Sequence, residues 1–326
     1  MRKLKNSEIL VTGGAGFIGS NLIETLLKQD NKVICLDNFM TGKRENIEIF
    51  YKNSNFTLIE GDIRDLEICH NACKDVQYIF HQAALGSVPR SIKDPMTSTE
   101  VNISGFVNML FAAQKAKVKR FVYAASSSTY GDSTALPKIE DKIGKPLSPY
   151  AITKYVNELY AENFSRIYGI ETIGLRYFNV FGKRQDPFGS YAAVIPKFVK
   201  SLMSHEAPVI NGDGSYSRDF TYIKNVIQAN QLAALTQVPE AINTVYNVAY
   251  GERTTLNELF YILRDNLSKF DTRISNIEPC YGSQREGDIP HSLADISKAK
   301  QFLGYYPPYD VVRGMTETVK WYHDNF

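Results

Sequence analysis

Through the first half of the chain, short continuous apolar runs alternate with longer stretches whose apolar positions recur at helical spacing. The runs at Glu8–Thr12, Lys32–Asp37, Thr57–Glu60, Tyr78–Gln82, Phe121–Ser126 and Thr172–Tyr177 predict strands, and the stretches Phe17–Gln29 and Val101–Ala116 predict helices between them. A strand apolar at nearly every position, rather than at alternate ones, needs cover on both faces. That calls for a parallel sheet with helices on each side. Right-handed crossovers then give an α/β, doubly wound fold. The second half reads differently. Gly and Pro become frequent around Phe181–Gly189 and Pro208–Gly214, and helices are predicted at Val194–Ser204, Ile223–Leu235, Thr255–Leu267, Ile296–Leu303 and Val312–Asp324. We expect a nucleotide-binding domain over 1–180 and a smaller C-terminal α/β substrate domain over 181–326. No long linker separates them, so the boundary is soft and the chain is expected to interleave.

Composition narrows the function classes. A 326-residue chain with 44% hydrophobic and 22% charged residues can bury a large core. Its formal net charge of +2 supplies no global field for nucleic acid or an anionic membrane, so any anion it binds must be held locally. Cys35, Cys69, Cys73 and Cys280 form no CxxC pair, and two thiols one helical turn apart do not make a zinc site. We therefore expect reduced thiols and no metal. The start Met1-Arg2-Lys3-Leu4-Lys5 imitates an export signal, but the apolar stretch after it is short and broken by glycines. No apolar run reaches the roughly 18 residues of a membrane span. A cytoplasmic location follows by default.

The first loop carries the first chemical signal. Gly13, Gly16 and Gly19 follow a strand and open a helix at Phe17-Ile18. Without Cβ atoms the backbone can approach a pyrophosphate, and the helix N-terminus offers N–H donors and partial positive charge. Taken alone, the spacing also suits a tight turn under a closely packed helix. Asp37 sharpens the reading, because it ends the second strand and its carboxylate can accept both hydroxyls of an adenosine ribose while repelling a 2′-phosphate. This is the pattern of a Rossmann sheet that binds NAD rather than NADP, with Asn38 and Gly42 on the following loop. Asp62-Ile63 and Gln82-Ala83-Ala84 end the third and fourth strands, on the edge where open α/β sheets bind ligands. Packing alone would also account for the small alanines.

Tyr150 and Lys154 carry the chemistry. Positions i and i+4 share a helix face about 6 Å apart along the axis, and Ser148-Pro149 is a suitable helix start. An ammonium beside a phenol favours phenolate, and a tyrosine starting near pH 10 needs several units of depression to serve as a base at neutral pH. The spacing is common among helices and gains weight only with the glycine loop, Asp37 and a hydroxyl cluster. That cluster is Ser126-Ser127-Ser128, just after the fifth strand. Ser126, nearest the strand end, is the expected catalytic hydroxyl and Ser128 a further contact. Local capping would equally occupy these serines.

Together these residues resemble the extended short-chain dehydrogenase/reductases. Within them the chain is most similar to the UDP-hexose 4-epimerases, in particular the group acting on UDP-N-acetylglucosamine. The similarity runs from Thr12 to Gly19 through Ser148-Pro149-Tyr150 to Arg285-Glu286-Gly287-Asp288. Its specific motifs are Leu175–Gly182, Ala192–Lys197 with Val194, and Asn211–Phe220. The resemblance implies NAD held throughout turnover and C4 epimerisation of a UDP-sugar through a transient 4-keto sugar. It places Tyr177 by the nicotinamide, Lys154 on its ribose and Asn102 near the cofactor, while Asn179, Asn211, Arg218, Arg285 and Asp288 hold the UDP part. Paired guanidinium forks suit a diphosphate. The related 4,6-dehydratases carry an Asp-Glu pair where Ser127-Ser128 stand here, which disfavours dehydration. Ser292 matches a position where a large Tyr excludes N-acetyl groups, and Gly86-Ser87 is also small, so room is expected for an acetamide. A homodimer is implied by the resemblance alone. Alternatives are a UDP-glucose, UDP-glucuronate or UDP-GlcNAcA 4-epimerase, a decarboxylase, a 4-ketoreductase, and a non-enzymatic NAD-binding protein on the same fold.

Overall fold

The computed structural model describes residues 3–188, 192–284 and 289–326. Six strands of the first half, β1 Glu8–Thr12, β2 Lys32–Asp37, β3 Phe56–Glu60, β4 Tyr78–His81, β5 Arg120–Ser126 and β6 Thr172–Tyr177, lie within one or two residues of the predicted runs. They form a wholly parallel sheet with a further strand, Thr244–Val248, in the order Thr244–Val248, β6, β5, β4, β1, β2, β3. The order reverses between β1 and β4. The cleft outside the carboxyl ends of those two strands is where such sheets take a ligand.

Both faces are apolar, as continuous strand runs require. Ile9, Val11, Val33, Cys35, Phe80 and Val122 enter one core; Leu10, Leu36, Ile79 and Phe121 enter the other. Helix α1 Phe17–Leu27 covers the first face. On the second lie α2 Leu66–Ala72, α3 Val88–Lys93, α4 Pro95–Thr99, α5 Gly105–Lys115 and α6 Pro149–Tyr168. The predicted helix over Val101–Ala116 is not uniform: a π-turn at Glu100–Ser104 joins α4 to α5. Asn102 sits in that turn, 1% exposed, with its carboxamide bonded to both backbone groups of Leu85, and an inserted polar demand of this kind widens a helix locally. Helix α6 is held on the sheet by a buried ion pair, in which Arg176 of β6 donates twice to Glu158 at 2.9 and 2.7 Å. Breaking one partner of such a pair would strand the other charge.

The chain crosses back over the expected boundary near residue 180. Strand Thr244–Val248, which pairs with β6, returns from the second half to close the sheet edge. The remaining ordered strands of that half are short pairs: Val180–Phe181 with Thr221–Tyr222, Ser217–Arg218 with Thr254–Thr255, and Val209–Asn211 with Cys280–Gly282. Helices Val194–Met203, Ile223–Leu235, Leu256–Leu267, Ser297–Leu303 and Val311–Asn325 pack around them.

Candidate functional site

Gly13 turns the chain off β1 at φ +65°, and a Cβ there would lie 2.7 Å from the Ala83 nitrogen. At Gly19 a Cβ would stand 2.2 Å from the Gly13 oxygen. Only glycine lets the loop press against both β4 and α1. Helix α1 starts at Gly16 without a side-chain cap and without an acid in its first turn, so the N–H groups around Phe17 and Ile18 meet no competing side-chain anion. Gly13, Asp37, Asn38, Asp62, Ile63, Ala83 and Ala84 line one open cleft at the strand ends. One Asp37 oxygen accepts the Ala15 N–H at 2.9 Å and the other the Phe39 N–H at 2.8 Å. Burial raises its pKa, against the pull of those two donors. Each oxygen keeps a lone pair for a ribose hydroxyl. Gly42 runs so close that its Cβ would sit 2.9 Å from both oxygens. An uncapped helix start, a glycine cradle and an acceptor-only carboxylate fit a dinucleotide. Asp62 is less available than the sequence suggested. Arg64 grips it at 2.7 and 3.0 Å and Asn38 donates to it at 2.7 Å, and the Arg64 bonds bring its pKa down to about 2.

Tyr150 and Lys154 both address the end of β5. Ser148 caps α6 by accepting the Ala151 N–H at 3.1 Å, and the Tyr150 N–H donates to Ser91 of α3 at 3.0 Å. The Tyr150 phenol lies beside the Ser126 hydroxyl, which opposes its burial, and Ser128 donates to the Ser126 hydroxyl at 2.9 Å. Lys154 Nζ donates to the Ala124 carbonyl at 2.8 Å. Phenol, hydroxyl and ammonium thus converge on two successive outward positions of one strand.

The electrostatics depart from the sequence argument. Burial holds the Tyr150 phenol above its ordinary pKa, with the Ser126 bond opposing, and burial brings Lys154 down to about 8. Spacing put the ammonium near the phenol, but its bond goes to a backbone carbonyl, and desolvation outweighs what remains. Asn102 also has a bracing part. Beyond its bonds to Leu85 it donates to Thr153 Oγ1 at 3.1 Å, and Thr153 bonds the Tyr150 carbonyl, so Asn102 braces the helix that carries Tyr150.

The remaining candidate residues are held by bonds of their own. The Tyr177 hydroxyl meets Gln82 Oε1 at 3.2 Å and accepts from Asn230 Nδ2 at 2.9 Å. Sequence reading missed Asn230, fully buried in helix Ile223–Leu235, because it stands among other amide side chains there, Asn225, Gln228 and Gln231, and nothing local singles it out. Asn179 adopts φ +34° and donates to the Asp219 carbonyl at 3.0 Å. Arg218 Nη1 donates to the Ser217 and Pro290 carbonyls at 3.0 and 3.1 Å, and the Ser292 N–H donates to the Ser217 carbonyl at 3.0 Å. Asn211 ends its short strand and Val194 opens its helix. Ser87 caps α3, and a Cβ on Gly86 would meet no atom within 4 Å. Ser127 is half-buried beside Ser126. Arg285 and Asp288 lie outside the described residues. Among the described residues no three metal-ligating side chains cluster, and no helix is long and apolar enough to cross a membrane.

Residues 9–249 match the NAD dependent epimerase/dehydratase family. The match ends one residue past the strand that completes the sheet. A putative UDP-glucose 4-epimerase of Methanocaldococcus jannaschii is 37% identical over 97% of this chain and 99% of its own. The solved UDP-N-acetylglucosamine 4-epimerase from Methanobrevibacter ruminantium M1, in complex with UDP-N-acetylmuramic acid, is 40% identical, covers 99% of this chain and 100% of its own, and superposes with a TM-score of 0.92. UDP-glucuronic acid 4-epimerase from Bacillus cereus, solved with UDP-glucuronic acid and NAD, is 30% identical with a TM-score of 0.87 over 98% and 100% of the two chains. With a glycine cradle, an NAD-type carboxylate and the Tyr150–Lys154 pair on one sheet edge, the chain belongs to the NAD-dependent epimerase/dehydratase family.

Proposed function

We propose that the protein inverts C4 of a UDP-sugar, with UDP-N-acetylglucosamine and UDP-N-acetylgalactosamine as its principal pair, and works as a cytoplasmic homodimer. The observation that carries the reading is the Tyr150 phenol beside the Ser126 hydroxyl at the end of β5, with Lys154, one turn along α6, donating to the Ala124 carbonyl of that strand. Gly13, Gly16, Asp37 and Lys154 would hold NAD, which when bound would supply a reversible hydride acceptor for sugar C4. Tyr150 takes the C4 hydroxyl proton through or beside Ser126 and later gives it back. Burial alone leaves this phenol too basic to ionise at neutral pH, so it works only with positive charge drawn close, and Lys154 is the nearest source on its own helix. Asn179, Asn211, Arg218, Arg285 and Asp288 anchor UDP while the keto sugar turns over. Nothing is gained or lost in redox terms, so no second substrate is consumed.

Support for an N-acetylated sugar comes from the small Ser292, from the open space beside Gly86, and from the similarity to the Methanobrevibacter enzyme. Ser127-Ser128 in place of an acid pair argues against dehydration. A second reading, a UDP-hexuronate 4-epimerase, draws support from the similarity to the Bacillus cereus enzyme. The test is incubation with UDP-GlcNAc, UDP-Glc and UDP-GlcNAcA without added cofactor, reading C4 configuration by NMR. Faster epimerisation of UDP-GlcNAc supports the proposal; loss of the C6 carboxylate of UDP-GlcNAcA as carbon dioxide, or turnover confined to UDP-GlcNAcA, overturns it.

A further inference from the structure

The segment 290–296 carries Ser292 and accepts the Arg218 guanidinium through the Pro290 carbonyl, yet it belongs to no sheet. Neighbouring backbone meets it at Ser217 and Lys138: the Ser217 N–H donates to Pro290 and the Ser292 N–H to Ser217, each at 3.0 Å, while Lys138 donates to Leu293 at 2.8 Å and accepts from Asp295 at 2.9 Å. The Ser217 hydroxyl meets His291 Nδ1 at 2.9 Å, and two wholly buried side chains add further bonds. The Asp219 carboxylate, wholly buried, accepts the Ala294 N–H at 3.3 Å together with the N–H groups of Tyr250 and Gly251 at 3.0 to 3.2 Å. The Asn247 carboxamide, also wholly buried, donates to the Asp295 and Lys138 carbonyls at 2.9 Å and accepts the Tyr130 hydroxyl at 2.6 Å. Tyr130 ends the turn Ser127–Tyr130 that starts at the catalytic serine.

Each pin thus ties the 290–296 segment to a different part of the site. Asp219 follows Arg218 in the chain, and its own carbonyl accepts the Asn179 side chain. Asn247 reaches the serine turn. Every polar atom of both side chains is used inward, so neither has a group left for a ligand. Their chemistry is to fix position, and a buried donor left without its acceptor costs far more than an ordinary hydrogen bond is worth.

We infer that Asp219 and Asn247 are positioning residues for the UDP-sugar: they set the 290–296 segment as one wall of its site, against Arg218 and Asn179 on one side and the serine turn on the other. The inference rests on the proposed UDP-sugar reading. It is tested with Asp219→Asn, which turns an acceptor oxygen into a donor facing the Gly251 and Ala294 N–H groups, and with the milder Tyr130→Phe, which removes the hydroxyl that orients Asn247. The readouts are the Kd for UDP, the KM and kcat for the UDP-sugar, NAD retained per chain, and the melting temperature. We expect Kd and KM to rise about ten-fold in Asp219→Asn and about three-fold in Tyr130→Phe, with kcat and retained NAD within about two-fold of the parent. A purely structural role would lower the melting temperature and leave UDP affinity unmoved; that result in Tyr130→Phe, which keeps the fold, overturns the inference even if Asp219→Asn fails to fold. If the parent protein itself binds no UDP, the UDP-sugar reading falls and the inference with it.

Discussion

The two sides of the cleft hold their ligands by different means. On the cofactor side the work is done by backbone: glycines without Cβ, an uncapped helix start, and strand ends set by a seven-strand parallel register. On the substrate side the strands are only two or three residues long, and position comes from buried side chains that each satisfy several backbone groups, Asp219 and Asn247 above all. The first arrangement fails by steric intrusion and the second by loss of one polar atom. Substitutions should therefore break the two sides in distinguishable ways.

The largest effect belongs to the chemistry between them. Tyr150→Phe should lower kcat by about a thousand-fold while retained NAD and melting temperature stay at parental values, because only the hydroxyl on Ser126 is lost. Near-parental turnover would remove Tyr150 from its role. On the cofactor side, Gly19→Val forces a side chain into the Gly13 carbonyl. Purified protein should retain at least about ten-fold less NAD, with lower stability, whereas UDP affinity of the folded fraction should hold. Equal loss of both ligands would erase the contrast. On the substrate side, Ser292→Tyr should lower kcat/KM for UDP-GlcNAc about ten-fold more than for UDP-Glc and leave NAD retention intact. Equal effects on both sugars would discard the size argument.

Two smaller effects follow from charge. Burial brings Lys154 down to about 8, so its ammonium is intact below that pH and is lost as pH rises through it. NAD affinity should fall above about pH 8, and Lys154→Arg should push that limb higher, since guanidinium stays charged. A pH-flat affinity would show that the ammonium contributes nothing to cofactor binding. Glu24 of α1 is held near pKa 2, where bonds from Lys183 and Lys28 and the charge of Arg184 overcome its burial. A depressed carboxyl stabilises the fold above its unfolded value near 4.5 and loses that contribution as pH falls toward 2. Glu24→Gln should cost on the order of 2 kcal/mol at pH 7 and less than about half of that at pH 3, read by denaturant melts at both.

Much of the cofactor side was legible before any coordinates, since periodicity, glycine spacing and a strand-end acid are local properties. The run Thr244–Val248 was not read as a strand because Asn247 interrupts its apolar pattern; that residue is buried for its carboxamide bonds, not for its hydrophobicity. Asp219, Asn230 and Ser91 escaped for a related reason: each is bonded to residues more than 30 positions away, and nothing in a short window records that. The convergence of Tyr150, Ser126 and Lys154 followed from spacing along β5 and α6. The direction of the phenol's shift did not, because it depends on where the Lys154 ammonium points and on how dry the site is.

The return of residues 244–248 to the edge of β6 has a bearing on how the protein comes into being. A ribosome that has released only the first 180 residues has exposed six strands with one open rim. A parallel edge of that kind invites pairing with any passing chain. The dinucleotide layer is finished only when the polypeptide has travelled out through the sugar-binding half and come back. The two halves therefore mature together, and a fragment cut at the apparent domain border should aggregate rather than survive as a free-standing nucleotide binder.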